Sequence, residues 1–339
     1  MKIMRTIHEL KRPLAGFAQV ALLLSITGSL WGIPLAAAQE RTAPKAPEPE
    51  VVNITTEDGV TLTATFYPGT NGKESVPVVM LHTFKGSRGD WESLATMLQH
   101  DYGHAILVPD LRGHGDSTTI QGAARPLEAE RLRPEQLGQM VTFDMKSIKE
   151  YLRDKNNARE LNLDMLCLVG AEMGAAVALN FAVVDWNEKD YGKWRHGRFV
   201  KALVLMSPEW DTRGLRINQA VAYLAVRQQI SFLLIAGNGI AQALKDTERL
   251  ATALRRSRPD PPADSAATAE RTLYVDTFPT KLQGTKLLGA GLKKGDASLE
   301  QRIAKFIDLR VVNVTPKTRW TELRADPRIP AARNAVRPN

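Results

Sequence analysis

Apolar positions along this chain fall into two periods. Across residues 60–67, Val60, Leu62, Ala64 and Phe66 alternate with threonines, the period of a strand with one covered face. Residues 51–56 form a similar run, and Glu57-Asp58-Gly59 between the two supplies the Asp-Gly step of a tight hairpin. Beyond the hairpin the apolar runs become nearly continuous, at 76–81, 105–108, 165–169, 200–206 and 230–236, as in strands covered on both faces. Residues 272–277 read as the last strand. Between the strands lie segments of helical period at 91–99, 135–154, 175–182 and 240–254. In the second of these, Met140, Phe143, Ile148, Tyr151 and Leu152 fall near one face. A final helix buries Leu299, Ile303, Phe306 and Ile307, and Ser298 with Gln301 fits a capping box at its start. An opening hairpin followed by alternating buried strands and helices predicts an α/β fold. Its sheet is mostly parallel, with about eight strands and helices on both faces. Residues 118–134 and 257–268 read as loops, and 216–229 as a short helix forming a minimal lid.

The ends of the chain differ in character from this middle. Lys2, Arg5, Lys11 and Arg12 precede an apolar stretch over 17–33, and Leu35-Ala36-Ala37-Ala38-Gln39 offers an Ala-x-Ala cleavage site. That layout predicts a secretory signal peptide over 1–38 and an exported, periplasmic or secreted protein. If the stretch is retained, it becomes a membrane anchor, and membrane contact is expected only in that case. Residues 39–50 carry three prolines and no apolar period, so they read as a linker. The folded domain is expected over 51–311, followed by a basic, poorly ordered tail over 312–339.

Of the formal charge of +8, most belongs to these ends. Residues 1–38 hold four Lys/Arg against one Glu, and residues 312–339 hold six against two acids. The remainder is close to neutral and gives no reason to expect a nucleic-acid partner. The single cysteine, Cys167, sits in an apolar strand and reads as an inert core residue. No metal-ligand spacing and no phosphate-binding glycine loop is present, so neither metal nor cofactor is expected.

In a sheet of this kind, sites form beyond the carboxyl ends of the strands, which places His82, Asp110, Glu172, Ser207 and Gly237 along one edge. The most informative of these turns is Gly170-Ala171-Glu172-Met173-Gly174, which lies between a strand and a small-residue helix. Strand, Gly-x-x-x-Gly turn and helix form the frame of a nucleophile elbow. His82-Thr83-Phe84-Lys85-Gly86-Ser87 resembles an oxyanion loop, and Asp110-Leu111-Arg112-Gly113-His114-Gly115-Asp116-Ser117 resembles an Asp-x-Arg-Gly-x-Gly-x-Ser turn. Together and in this order, these motifs resemble the α/β-hydrolase superfamily over about residues 51–310.

The resemblance implies a nucleophile at position 172, an acid after the strand 230–236, and a histidine between the last strand and the last helix. This chain has Glu172 at the first position, Gly237-Asn238-Gly239-Ile240 at the second and no histidine in 278–296; its last histidine is His196. We therefore expect a degenerate triad and a pseudo-hydrolase that binds a small-molecule ligand or an envelope partner. The alternative is a divergent hydrolase acting on an ester-like bond, with Glu172 in the nucleophile position assisted by His82 or a water. In either case Thr83, Phe84 and the Met173 amide are expected to line an oxyanion-like pocket. Lys85 is a candidate partner for Glu172. Trp186, Tyr191, Trp194 and Arg195 read as lid packing or as a partner-binding patch.

Overall fold

The predicted hairpin forms as β1 (Glu50–Thr55) and β2 (Val60–Tyr67), paired antiparallel from Glu50 opposite Phe66 to Thr55 opposite Thr61. The computed structural model describes residues 46–190, 194–258, 271–314 and 317–324. The leader read over 1–38, most of the linker and Tyr191 lie outside these residues. Among the described residues, no helix is long and apolar enough to cross a membrane.

After the hairpin come β3 (Pro77–Leu81), α1 (Glu92–Tyr102), β4 (Ala105–Pro109) and a two-residue strand β5 (Thr119–Ile120) inside the predicted loop. The helix read over 135–154 is interrupted. It consists of α2 (Pro134–Gln139), a π-helical turn over Met140–Asp144, and α3 (Met145–Asn157). Next are β6 (Leu166–Ala171), α4 (Met173–Asn187) and β7 (Val200–Met206). A small hairpin follows, β8 (Asp211–Thr212) with β9 (Leu215–Arg216), which the sequence reading did not anticipate. The predicted lid helix is two short pieces, α5 (Asn218–Ala222) and α6 (Leu224–Gln229), split where Tyr223 takes an extended conformation. The domain continues with β10 (Ser231–Gly237), α7 (Ala241–Arg255), β11 (Leu273–Phe278) and α8 (Leu299–Ile307).

The main sheet runs in the order β1-β2-β4-β3-β6-β7-β10-β11, with β5 added to β2. Pairings from β4 through β11 along this order are parallel, and β2 is antiparallel to both β1 and β4. The side-chain alternation of each strand feeds two cores. Val79 and Leu81 pack with Ile148, Leu179 and Leu250 on the α3, α4 and α7 side. Val78 and Met80 pack with Leu94, Leu98, Ile303 and Phe306 on the α1 and α8 side. This double coverage explains why strands such as Leu166–Ala171 are apolar at nearly every position. Cys167 is fully buried, and burial pushes its thiol pKa up, away from reactivity.

Part of the predicted disordered tail is corrected by packing. Residues 317–324 have no regular structure, yet Leu323 is buried. The Trp320 indole donates to the Asn156 carbonyl at 3.1 Å, and the Asn157 side chain both accepts from the Leu323 N–H and donates to its carbonyl. Backbone-to-side-chain bonds of this kind substitute for the missing apolar period.

Charge is also built into the core. Arg112, only 2% exposed, donates to Asp144 at 2.6 and 2.9 Å, to Asp58 at 2.7 Å and to Gln139 at 2.8 Å. One guanidinium thereby ties the β1–β2 turn to the π-helical turn beneath α3. Burial pushes the Asp144 carboxyl above its ordinary range, and Arg112 opposes that push. We predict that Arg112→Ala leaves Asp144 as an uncompensated buried acid and lowers unfolding free energy by about 3–5 kcal/mol. Urea unfolding measures this, and a loss below about 1 kcal/mol would mean the network is only a surface pair.

Candidate functional site

The turn between β6 and α4 owes its shape to two close backbone approaches. A Cβ on Gly174 would lie 2.2 Å from the Leu81 carbonyl oxygen, and one on Gly170 would lie 2.4 Å from the Gly174 oxygen. Only glycine fits at either place. With the helix pressed this closely against β3 and β6, the residue at the tip must turn back sharply. Glu172 accordingly has φ 48° and ψ −106°, a strained conformation for a side chain with a Cβ. Its N–H donates to the Met206 carbonyl at 2.9 Å, and its carbonyl accepts from Ala175 and Ala176 at 3.1 and 3.2 Å. Those bonds hold the strain in place.

The Glu172 carboxylate is half-buried and makes no hydrogen bond or ion pair among the described residues. Burial raises its pKa first, the charge of Glu209 adds to this, and Lys286 acts in the opposite sense. Lys85 is not its partner: it pairs with Glu130 at 3.0 Å on the surface.

His82 does not serve Glu172 either. It is fully buried, its Nδ1 lies 2.7 Å from the Thr83 carbonyl, and its Nε2 accepts the Leu111 N–H at 3.0 Å. The second contact requires a bare Nε2, so Nδ1 carries the proton and donates it to Thr83. Both ring nitrogens are thus committed to the backbone, and the Glu172–His82 pair does not form. His114 lies 4.9 Å from the His82 ring and contacts the Arg112 carbonyl through Nδ1. Asp110 accepts from the Arg88 and Asp116 amides at 2.6 and 3.0 Å and pairs with the Arg88 guanidinium. It organises its turn and takes no part in a triad. Trp186 donates to the Val200 carbonyl, and Arg195 pairs with Asp164 while lying over Phe199, which makes them packing groups. Among the described residues, no group of three His, Cys, Asp or Glu side chains could hold a metal ion.

The loop after β11 is tied to the ends of β7 and β10 by a side-chain amide. Gln283, in the loop after β11, accepts the Ser207 hydroxyl at 2.6 Å and the Gly237 N–H at 3.3 Å through Oε1. Its Nε2 donates to the Gly237 carbonyl at 2.8 Å, and the Gly284 N–H donates to Ser207 Oγ at 3.0 Å. One amide therefore joins the ends of β7 and β10 to the loop after β11. Gly284 next to it lies so close that a Cβ there would stand 2.8 Å from both Glu172 Oε1 and Thr83 Cγ2. This loop packs against the elbow and against Thr83.

Open space also adjoins Glu172. A cleft of about 500 Å³ is lined by Glu172, Ser207, Glu209, Trp210, Asp246 and Arg249 among others, but not by Thr83, Phe84 or Met173. Met173 is fully buried, and Phe84 packs edge-on against His114 beneath the Arg213 guanidinium. Sequence reasoning missed Gln283, Trp210 and Arg249 as site residues. Position in the loop between the last strand and the last helix was the one available signal for Gln283.

A sheet of this order, with a strained strand–turn–helix at its centre, defines an α/β-hydrolase-like protein. Residues 76–258 match the sequence profile of the alpha/beta hydrolase fold, and the chain belongs to that family. Among solved structures, it resembles the esterase Pf2001 of Pyrococcus furiosus, with a TM-score of 0.52 and 16% identity over 78% of this chain and 93% of that one. It also resembles a dienelactone hydrolase from Anabaena variabilis, with a TM-score of 0.50 and 16% identity over 79% and 98% of the two chains. A fungal esterase structure from Rhizomucor miehei matches with a TM-score of 0.52 and 12% identity over 78% and 84%. A search of curated protein sequences returned no match.

The buried histidines carry a pH prediction. Burial pushes His82 and His104 down to about 4, whereas an unfolded histidine titrates near 6.5. The unfolded chain therefore takes up these protons first. The contribution is complete above about pH 6.5 and is lost as pH falls toward about 4. Unfolding free energy should drop between pH 7 and pH 5 by roughly 2 kcal/mol per histidine, and His82→Gln should flatten the profile. Equal stability at the two pH values in urea titrations would contradict this.

Proposed function

We propose that this chain is an exported, non-hydrolytic member of its family, a pseudo-hydrolase with a degenerate triad that binds a small molecule in the cleft beside Glu172. One observation carries the reading: Gln283 occupies the junction of Ser207, Gly237 and the loop after β11. Acyl transfer on this fold needs a nucleophile, a base that takes and returns its proton, and donors for the oxyanion. An amide is neither base nor acid at ordinary pH, so Gln283 cannot take and return a proton. Were Glu172 to form an ester, no imidazole among the described residues could activate water to release it. The loop after β11 also crowds the elbow, since a Cβ on Gly284 would stand 2.8 Å from Glu172 Oε1.

The structural neighbours include esterases, so ester hydrolysis is the activity to exclude. Purified protein should turn over p-nitrophenyl acetate and butyrate no faster than the Glu172→Ala variant does. Turnover that is lost on Glu172→Ala would instead establish the divergent-hydrolase reading.

Export is supported by the basic, apolar and Ala-x-Ala succession at the start of the chain. Mass spectrometry of protein recovered from an expressing bacterium should find a mature chain beginning at Gln39. A membrane fraction holding the chain with Met1 to Ala38 intact would replace cleavage with anchoring.

A further inference from the structure

The cleft beside Glu172 has a definite chemical character. Its volume of about 500 Å³ is in the range of small-molecule sites, roughly 300–1,000 Å³. Four acids line it: Glu172, Glu209, Asp211 and Asp246. Asp211 is neutralised by Arg216 at 2.7 Å. Glu209 accepts only the Thr212 hydroxyl and Asp246 only the Gln242 amide, while Glu172 accepts nothing. Among the described residues, none of these three makes an ion pair.

The one basic side chain in the lining, Arg249, makes no ion pair with them. Its guanidinium carbon sits 3.7 Å from the centre of the Trp210 ring. That contact shows the indole already accepting a cation on its face, and it leaves the carboxylates without a partner. Ile240, a large apolar residue that is 41% exposed, completes the wall. An anion would meet Glu172 and Glu209 directly. A neutral apolar molecule would cover both carboxylates without compensating either, at a cost in desolvation. A cation with an apolar body meets neither penalty.

We propose that this cleft binds a small organic cation, an amine or guanidine, with its charged head between Glu172 and Glu209 and its body against Trp210 and Ile240. The proposal rests on the binding reading above and supplies its ligand class. The head group relieves the like-charge repulsion of the two glutamates, and the field of the acids draws cations toward a chain that is otherwise basic.

Benzylammonium is a suitable probe, with benzyl alcohol and benzoate as its neutral and anionic counterparts. Calorimetry on the mature protein should show saturable binding of benzylammonium, weaker binding of the alcohol and none of benzoate. Glu172→Gln should weaken benzylammonium by about tenfold or more, the scale of one charge-assisted contact, with an unchanged melting temperature. Arg249→Ala should tighten it, because a competing cation leaves Trp210. Equal binding of the three probes, no benzylammonium binding, or an unchanged affinity in Glu172→Gln would each overturn the proposal. Ester turnover measured on the same preparation separates the two readings. Turnover with cation binding intact overturns only the non-hydrolytic role, and absence of both overturns only the ligand class.

Discussion

The approach of Gly174 to the Leu81 carbonyl is the constraint on which the rest of this molecule depends. With a hypothetical Cβ only 2.2 Å from that oxygen, helix α4 lies against β3 as closely as two backbones allow. The chain leaving β6 has one residue in which to reverse, and the left-handed conformation of Glu172 follows. The cost of such a residue, about 1–3 kcal/mol, is borne by the backbone bonds to Met206, Ala175 and Ala176 and by the small-residue packing of α4. None of these terms involves the side chain at the tip. The frame therefore persists whatever chemistry the tip carries, which is how a carboxylate of unusual length stands where a nucleophile would.

Because the frame is a matter of backbone and burial, it was legible in the sequence. Val78, Val79, Met80 and Leu81 are apolar in succession because each face of β3 meets a different core. Gly170 and Gly174 mark the close contact directly. What was not legible is the set of contacts that close the site. Gln283 reaches Ser207 and Gly237 across 76 and 46 residues, and nothing in the local pattern of a loop announces an amide with distant partners. The fate of the oxyanion loop was hidden for the same reason, since it is Gly284 that packs against its Thr83. His82 was ambiguous until its neighbours were known: an imidazole at a strand end serves as base or as backbone clasp according to what lies 3 Å away. The segment around Trp320 shows a related limit, because it is held by hydrogen bonds to α3 and not by an apolar period.

The protein handles charge in opposite ways at its two turns. Around Arg112, a buried guanidinium pairs with the buried Asp144 and the half-buried Asp58 with its hydrogen bonds satisfied, and the result is a fixed structural clasp. Beside Glu172, carboxylates stand near one another while the nearby guanidinium is held on an indole face. A buried network without a partner would be destabilising; at the mouth of a cleft, water stabilises the charges until something replaces it. Only the second arrangement leaves an interaction unfulfilled, and it is the one located at the end of the sheet where this fold places its ligands.

The identity of the residue that joins β7, β10 and the loop after β11 follows from similar considerations. A small residue in place of Gln283 would leave the Gly237 N–H and carbonyl without this partner. A hydrocarbon side chain would satisfy neither group, and a carboxylate would repel the Gly237 oxygen while adding a second charge beside Glu172. A primary amide presents an acceptor and a donor on one planar group, so Gln283 meets both backbone atoms and has a further lone pair for Ser207. It does so without a charge, and so without a pH dependence of its own. The junction is thereby held as a neutral, closed set of hydrogen bonds. Among the described residues, the charge of the elbow itself is then carried by Glu172, which lines the open cleft.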